Sequence, residues 1–264
     1  MKFIIIDLYV LLFARKKFEK LNKFLFRLSL AGLGVLNYKT SKISGEKVFL
    51  ESYLKGKNGV VIDVGANQGG YCHQVISANE EMIIYAFEPH PVTFNILLSK
   101  IKNYKNVLPI NKGMSGERGL LNLYDYGGND GSEHASLYKE VIGEIHGSQL
   151  ISSHEVELVT LDDFLEEKNI SRVDLLKIDT EGNEFEVLRG GLNAIKQRKI
   201  KAIHFEFNEM NVASQVFFRN FWKILEGYRL YRLLPNEMME IKEYKALWCE
   251  IYAYQNIVAI LKDS

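Results

Sequence analysis

Short apolar runs alternate with segments of helical periodicity along this chain, from about residue 46 to near its end. Several of these runs are almost continuously apolar, as is typical of strands buried on both faces of a parallel sheet. Strands that alternate with helices in this way predict a doubly wound α/β fold. In such folds, ligands bind beyond the carboxyl ends of the strands, near the point where the strand order reverses. We therefore expect functional residues at the strand ends.

The predicted elements follow from these runs. We predict strands at Val60–Val64, Ile83–Phe87, Val107–Met114, Leu120–Tyr124, Val156–Leu161, Leu175–Asp179, Ile203–Phe207, Tyr228–Leu233 and Ile257–Leu261. We predict helices around residues 46–55, 69–78, 92–102, 162–168, 184–197 and 212–226. The turn-rich stretch near 115–160 is predicted to be a loop insertion over the sheet end, a common place for substrate contacts. Its candidate contact residues are Tyr124, Tyr126, His134, Tyr138 and His146.

The first 45 residues carry nine lysines and arginines against two acids, whereas the whole chain is neutral. Apolar residues recur at helical spacing there, with Lys16, Lys20, Lys23 and Arg27 on another face. This pattern predicts a basic amphipathic helical extension over residues 1–45, followed by the main domain over residues 46–264. The apolar run Phe3–Ala14 is shorter than the roughly 20 residues that cross a bilayer. The extension could pack on the domain as a cap, or residues 1–30 could contact an anionic membrane peripherally.

Composition narrows the class of protein further. Two isolated cysteines, Cys72 and Cys249, are too few for a disulfide framework or a cysteine-rich zinc site, so we expect reduced thiols in a cytoplasmic protein. A lipid-binding extension would place the protein at the inner face of the membrane. Residues 46–264 carry the balancing negative charge. This charge argues against nucleic-acid binding, because a duplex binder presents a basic surface.

The first functional motif is a strand, a glycine turn and a helix start, Asp63-Val-Gly-Ala-Asn-Gln-Gly69. Gly65 allows a sharp turn and Gly69 allows close approach of the backbone to a ligand. Asn67 stands where the dinucleotide fingerprint G-x-G-x-x-G requires glycine, so the motif does not match a pyrophosphate site. The Asp63 carboxylate is placed to orient an ammonium group of a ligand, directly or through water.

Acidic and polar residues follow the next two predicted strands. Glu88 comes 25 residues after Asp63 and ends the second strand, where a carboxylate can accept both ribose hydroxyls. A surface glutamate at a strand end is the simpler alternative, but the pairing with the glycine turn favours the ribose role. Asn111 and Ser115 follow the third strand and could meet the edge of an adenine. Together these positions predict a site for a nucleoside-containing ligand.

The second functional motif is Lys177-Ile-Asp-Thr-Glu-Gly-Asn-Glu184, which brings four charged side chains beside a buried strand. Such charges are costly unless they are paired or used. Asp179 ends this strand, and Glu181 follows closely. On the next strand His204, Glu206 and Asn208 share one face. Asp179, Glu206 and His204 are candidate general bases, and the oxygen-rich set of Asp179, Glu206 and Asn208 would alternatively suit Mg²⁺ or Ca²⁺.

These two motifs, with Phe87-Glu-Pro89, Leu161-Asp-Asp-Phe164 and Leu188-Arg-Gly-Gly191, resemble the FkbM family of methyltransferases over roughly residues 30–210. The resemblance implies a class I methyltransferase fold with a seven-stranded, mostly parallel sheet, and S-adenosylmethionine as methyl donor. It also implies O-methylation of a small-molecule or glycan acceptor, often a sugar or secondary metabolite. The cofactor candidates are then Asp63, Gly65, Asn67, Gly69, Glu88, Asn111 and Ser115, and the catalytic candidates are Asp179, Glu181, Glu206 and His204.

Two other functions stay open at this point. A nucleotide-binding oxidoreductase could use a similar fold, but the missing G-x-G-x-x-G turn argues against it. A binding module without catalytic activity could also retain the fold. The intact Asp63, Gly65 and Glu88 argue against the loss of the cofactor site.

Overall fold

The computed structural model describes residues 2–126, 135–145 and 150–262. The strands in these ranges are β1 (Val60–Val64), β2 (Ile83–Phe87), β3 (Val107–Ile110), β4 (Gly113–Met114), β5 (Gly119–Tyr126), β6 (Ile151–Val159), β7 (Leu175–Ile178), β8 (Ala202–Phe207), β9 (Tyr228–Leu233), β10 (Met238–Ile241) and β11 (Gln255–Leu261). The helices are α1 (Lys2–Phe13), α2 (Glu19–Gly32), α3 (Ser41–Ser44), α4 (Glu46–Tyr53), α5 (Gly70–Ala78), α6 (Pro91–Ile101), α7 (Leu161–Glu167), α8 (Glu184–Arg189), α9 (Leu192–Lys196), α10 (Met210–Ala213), α11 (Phe218–Ile224) and α12 (Ala246–Cys249).

The main sheet has the strand order β10-β9-β11-β8-β7-β1-β2-β3. The five strands from β8 to β3 are parallel, whereas β11 is antiparallel to both of its neighbours. The chain continues from β1 to β2 on one side and returns to β7 on the other, so the strand order reverses at β1. The predicted α/β fold with a mostly parallel sheet is confirmed, and its switch point lies between the carboxyl ends of β1 and β7.

Alternate residues of the central strands enter two separate apolar cores, one on each face of the sheet. Val61 packs on the side of α4, α5 and α6, whereas Ile62 packs on the side of α7, α8 and α11. This alternation is the two-residue period of a strand that is covered on both faces. Helices therefore cover both faces, as predicted.

The sheet has eight strands in the described residues, not seven as expected. The additional strand is β10, which forms an edge hairpin with β9 in a register that pairs Met238 with Leu233 and Ile241 with Leu230. None of the β10 residues is buried, so the segment lacks the apolar alternation by which strands are recognised in a sequence.

Three other predicted elements divide in the structure. The strand predicted at Val107–Met114 ends at Ile110, and Gly113–Met114 pairs with β6 instead. The helix predicted at 184–197 is divided into α8 and α9 at Gly190 and Gly191, and a side chain at Gly190 would overlap the carbonyl oxygen of Ser115. The helix predicted at 212–226 is divided into α10 and α11.

The stretch predicted as a loop insertion contains a small sheet of order β4-β6-β5. Leu123, Val156 and Leu158 are its buried apolar residues, and Ala135 and Leu137 pack against them. The strand β6 begins at Ile151, five residues before the predicted start. His134 and His146 lie outside the described residues, as does the side chain of Tyr126.

The N-terminal segment contains the helices α1 and α2, followed by the short α3. The first two contact each other where Tyr9 Oη donates to Asn22 Oδ1 at 2.6 Å and Asn22 Nδ2 donates to the Phe13 carbonyl at 3.0 Å. The apolar side chains from Ile4 to Leu12 are between 40% and 70% exposed, so α1 does not form the packed cap that we considered. Within the described ranges, no helix is both long and apolar enough to cross a membrane.

Candidate functional site

A cavity of about 710 Å³ opens at the carboxyl ends of β1, β2, β7 and β8, under the small sheet. A second cavity of about 690 Å³ lies beside it, on the side of α4 and α5. Both cavities are lined by Gly65, Asn67, Asp179, Glu206 and Tyr254. These five residues therefore mark the junction of the two cavities, at the switch point of the sheet.

The glycine turn brings the ends of β1 and β7 into close contact. Gly65 has a φ of +82°, and a Cβ there would overlap the carbonyl oxygen of Asp179. Asn67 also has a positive φ, of +49°, and its buried Oδ1 has no hydrogen-bond partner in the described residues. Gly69 lines the second cavity, but its absent side chain chiefly makes room for α6, since a Cβ would lie 2.9 Å from Leu97 Cδ1.

Glu88 lies at the end of β2 and lines the larger cavity. Its Oε2 accepts a hydrogen bond from the Asn67 backbone N–H at 2.9 Å, and its Oε1 accepts one from the His90 N–H at 2.8 Å. Burial raises the pKa of Glu88 to about 7 against the effect of these two bonds. The carboxyl is thus held in one orientation, with lone pairs left for a ligand.

Two of the cofactor candidates are not brought to a cavity wall. Asn111 Nδ2 donates to the carbonyl oxygens of Glu88 and Pro89, at 2.9 and 3.1 Å, and so fixes the end of β2. Ser115 is buried, and its backbone N–H bonds to Val159. Neither residue lines either of the two cavities, whereas Pro89 and Met114 line the larger one. The structure therefore places neither Asn111 nor Ser115 in contact with a ligand there.

A row of polar side chains crosses the three central strands on the α4 side of the sheet. In register, Asp63 of β1 pairs with Lys177 of β7, which pairs with His204 of β8. Lys177 is 2% exposed, and its Nζ lies 3.2 Å from Asp179 Oδ2 and 3.9 Å from Glu206 Oε1. Burial opposes the charge of Lys177, but these two carboxylates outweigh it and raise the pKa of the ammonium.

The carboxyl groups around Lys177 differ in environment. Burial raises the pKa of Asp63 to about 6, although Cys72 Sγ donates to its Oδ2 at 3.2 Å. Burial also raises the pKa of Glu206 well above its ordinary value, and the charge of Asp179 adds to the effect. Asp179 is more open, with its side chain 38% exposed. The Glu206 carboxyl therefore binds a proton more tightly than an ordinary glutamate does, and Asp179 forms the shorter of the two contacts with Lys177.

Glu181 and Glu184 have different roles after β7. Glu181 lines the larger cavity in a left-handed conformation, with a φ of +51°. Glu184 is buried, and its Oε1 accepts bonds from the N–H groups of Thr180 and Gly182 at 3.0 Å each. Burial raises the pKa of Glu184 to about 7. Glu184 thus closes the turn that carries Asp179 and Glu181, and it does not line the cavity.

His204 lines neither cavity. It is completely buried, and its Nδ1 lies 3.0 Å from Tyr71 Oη while its Nε2 lies 2.9 Å from Asn256 Oδ1. Burial lowers the pKa of the imidazole well below its ordinary value, and the charge of Lys177 adds to this. Because both ring nitrogens already have partners, the structure does not support His204 as the general base.

Sequence reasoning missed Tyr38, Glu46 and Tyr254, which also line these cavities. Tyr254 immediately precedes β11, and an antiparallel strand begins at the edge where its parallel neighbours end. The direction of β11 would have been the signal. No group of three or more His, Cys, Asp or Glu side chains suited to a metal ion occurs in the described parts of the chain.

Comparison with known proteins identifies related sequences. The family described as Methyltransferase FkbM domain matches residues 63–232. Methyltransferase sdnD of Sordaria araneosa is 28% identical over 185 residues, which cover 58% of this chain and 71% of sdnD. Hexuronic acid methyltransferase AglP of Haloferax volcanii is 28% identical over 139 residues, 52% of either chain. The 2-O-methyltransferase NoeI of Sinorhizobium fredii is 21% identical over 197 residues, which cover 70% of this chain and 78% of NoeI.

Solved structures give more distant likenesses. An S-adenosylmethionine-dependent O-methyltransferase of Thermotoga maritima has a TM-score of 0.42 and 14% identity, covering 83% of this chain and 66% of its own. Fibrillarin of Aeropyrum pernix with bound S-adenosylmethionine has a TM-score of 0.40 and 14% identity, covering 81% of this chain and 73% of its own.

The buried carboxyl of Glu184 predicts a pH dependence of stability. Its pKa is raised from 4.5 to about 7, so the folded protein keeps a proton that the unfolded chain has already lost. Stability from this group is complete below about pH 4.5 and is lost as the pH rises towards 7. We expect the free energy of unfolding, measured with urea, to fall as the pH rises from 4.5 towards 7. In Glu184→Gln this fall should be smaller by about 2–3 kcal/mol. The exposed Glu80→Gln is the control, and equal falls in all three proteins would contradict the assignment.

Proposed function

Since this chain belongs to the FkbM family of methyltransferases, we propose that it transfers the methyl group of S-adenosylmethionine to a hydroxyl of a sugar, glycan or secondary metabolite. The observation that carries the donor half is the position of two acceptors at the switch point of the sheet. They are the Glu88 carboxyl, which is held by the Asn67 backbone N–H, and Asn67 Oδ1, which has no partner in the described residues. The relatives named as acting on hexuronic acid and at a 2-O position support the acceptor half.

The residues at the cavity junction fit this donor. Asn67 Oδ1 is buried and lacks a partner among the described residues, so a donor group of a ligand would satisfy it. Glu88 is fixed by two backbone N–H groups and can accept from ribose hydroxyls. Asp63 and Asp179 place negative charge nearby, which suits the ammonium and sulfonium groups of the donor.

S-adenosylmethionine supplies an electrophilic methyl group, and the protein must position a hydroxyl and remove its proton. Glu206 is our candidate general base, since it lines the cavity and burial raises its pKa above the ordinary value, which increases its affinity for a proton. Asp179 and Lys177 hold one another beside it and are positioning residues. Glu181 lines only the larger cavity, where we place the acceptor.

Calorimetry with S-adenosylmethionine and S-adenosylhomocysteine tests the donor site. Glu88→Gln keeps one acceptor oxygen but loses the carboxylate, so we expect binding to weaken about tenfold or more. The exposed Glu117→Gln should bind as the parent protein does. An unchanged affinity in Glu88→Gln, or no binding by the parent, would overturn the proposal. Binding of a nicotinamide dinucleotide instead would favour an oxidoreductase.

The helix pair α1 and α2 supports a second part of the proposal, peripheral binding to an anionic membrane. Between Ile4 and Phe13, every side chain of α1 except Asp7 is apolar. A helix of this kind is normally buried, yet the apolar side chains from Ile4 to Leu12 are exposed. Arg15, Lys16 and Lys17 follow α1 directly, and Lys20 and Arg27 lie on α2. This combination of exposed apolar surface with adjacent positive charge complements an anionic lipid surface.

Flotation with vesicles tests the membrane contact. We expect the protein to float with vesicles containing phosphatidylglycerol and much less with pure phosphatidylcholine, because the positive charges contribute to binding. Leu11→Asp should reduce flotation several-fold, since Leu11 is 70% exposed on α1. Leu247→Asp changes an equally exposed leucine elsewhere and serves as the control. Equal flotation of the two variants, or none by the parent protein, would contradict membrane binding.

A further inference from the structure

One wall of the larger cavity is formed by residues outside the segment that matches the family. Tyr38 and Tyr254 line this wall, and both lie beyond residues 63–232. Their rings pack edge to face with centroids 5.8 Å apart. Tyr38 is 57% exposed, although it is a large aromatic side chain. The pair therefore presents aromatic surface to the cavity mouth, beside Glu206 and Asp179.

A buried chain of hydrogen bonds fixes the Tyr254 hydroxyl. Asn256 Oδ1 can only accept, so His204 Nε2, 2.9 Å away, carries the proton. His204 Nδ1 is then the acceptor for Tyr71 Oη at 3.0 Å. At the other end of the chain, Asn256 Nδ2 donates to Tyr254 Oη at 3.0 Å.

The direction of these hydrogen bonds leaves the Tyr254 hydroxyl as a donor. Its oxygen already accepts from Asn256, and its own proton has no acceptor in the described residues. Burial raises the pKa of Tyr254, and the charges of Glu206 and Glu46 raise it further, so the phenol keeps its proton. Tyr254 therefore offers one directed O–H donor to a ligand in the cavity.

The charge of the cavity limits which ligand can accept this bond. Its described lining carries five carboxyl groups and no Lys, Arg or His; the five are Glu88, Asp179, Glu181, Glu206 and Glu209. A carboxylate or phosphate on the acceptor would meet the like charges of Asp179, Glu181 and Glu209, and Lys177, which lines the adjoining cavity, already holds Asp179. A neutral ring with hydroxyl groups meets no such penalty.

We propose that Tyr38 and Tyr254 form the acceptor subsite for a neutral sugar ring, and that the Tyr254 hydroxyl donates to an oxygen of that ring. The apolar C–H face of a sugar packs on an aromatic ring while its hydroxyls keep polar partners. His204 and Asn256 act through Tyr254 and are positioning residues. This proposal rests on the proposed O-methyltransferase function and specifies its acceptor class.

Saturation-transfer NMR on the protein saturated with S-adenosylhomocysteine provides the test. The probes are methyl glucoside and methyl glucuronide, which differ by one carboxylate. We expect the glucoside to bind and the glucuronide to bind at least about tenfold more weakly. Equal or tighter binding of the glucuronide overturns the proposal, and so does the absence of glucoside binding while S-adenosylhomocysteine still binds. Absence of S-adenosylhomocysteine binding would instead overturn the proposed function itself.

Variants separate a positioning role from a merely structural one. We expect Tyr254→Phe to weaken glucoside binding about fivefold to tenfold and to weaken S-adenosylhomocysteine binding much less. Asn256→Leu should weaken glucoside binding similarly. The double variant should bind the glucoside no more weakly than either single variant, because both residues act through one hydroxyl. Tyr244→Phe lies outside both cavities and is the control. Additive losses of glucoside binding in the double variant, or unchanged glucoside binding in Tyr254→Phe, would overturn the proposal that His204 and Asn256 act through the Tyr254 hydroxyl.

Discussion

The ammonium of Lys177 makes the arrangement at the sheet end possible. Its Nζ contacts Asp179 and Glu206, at 3.2 and 3.9 Å, while Asp63 lies beside it in register on β1. Buried carboxylates without a cation would repel one another and take up protons. With one lysine among several acids, the junction stays net acidic, which suits a cationic donor. Replacing Lys177 would leave these carboxylates unpaired, so the site and the local fold depend on the same contact.

The topology of the sheet explains why the surfaces that we propose for donor and acceptor meet there. The parallel strands β1, β2, β7 and β8 all end at one edge, and the antiparallel β11 begins at that edge. Glu88 therefore lies just after the end of β2, whereas Tyr254 lies just before the start of β11. The residues that we propose for the donor lie in the part of the chain that matches the FkbM family. Tyr38 and Tyr254, which we propose for the acceptor, lie before and after that part.

The sequence predicts what depends on local pattern. The glycine turn and the acid that ends β2 were placed from spacing alone, and Gly65 and Glu88 do line the cavity. Features that depend on long-range packing were missed or misassigned. His204 was a candidate base, but its role is decided by Asn256, which is distant in sequence. The edge strand β10 has no buried residue to reveal it, and Tyr254 could be found only from the direction of β11.

The central claim is that the carboxyl ends of β1 and β2 hold the nucleoside part of S-adenosylmethionine. A crystal structure of the protein with S-adenosylhomocysteine tests this most directly. The account predicts that the ribose hydroxyls contact the Glu88 carboxyl and that Asn67 Oδ1, partnerless in the described residues, accepts a hydrogen bond from the ligand or an ordered water. A ligand bound elsewhere, or one that leaves Glu88 without a contact, would contradict it.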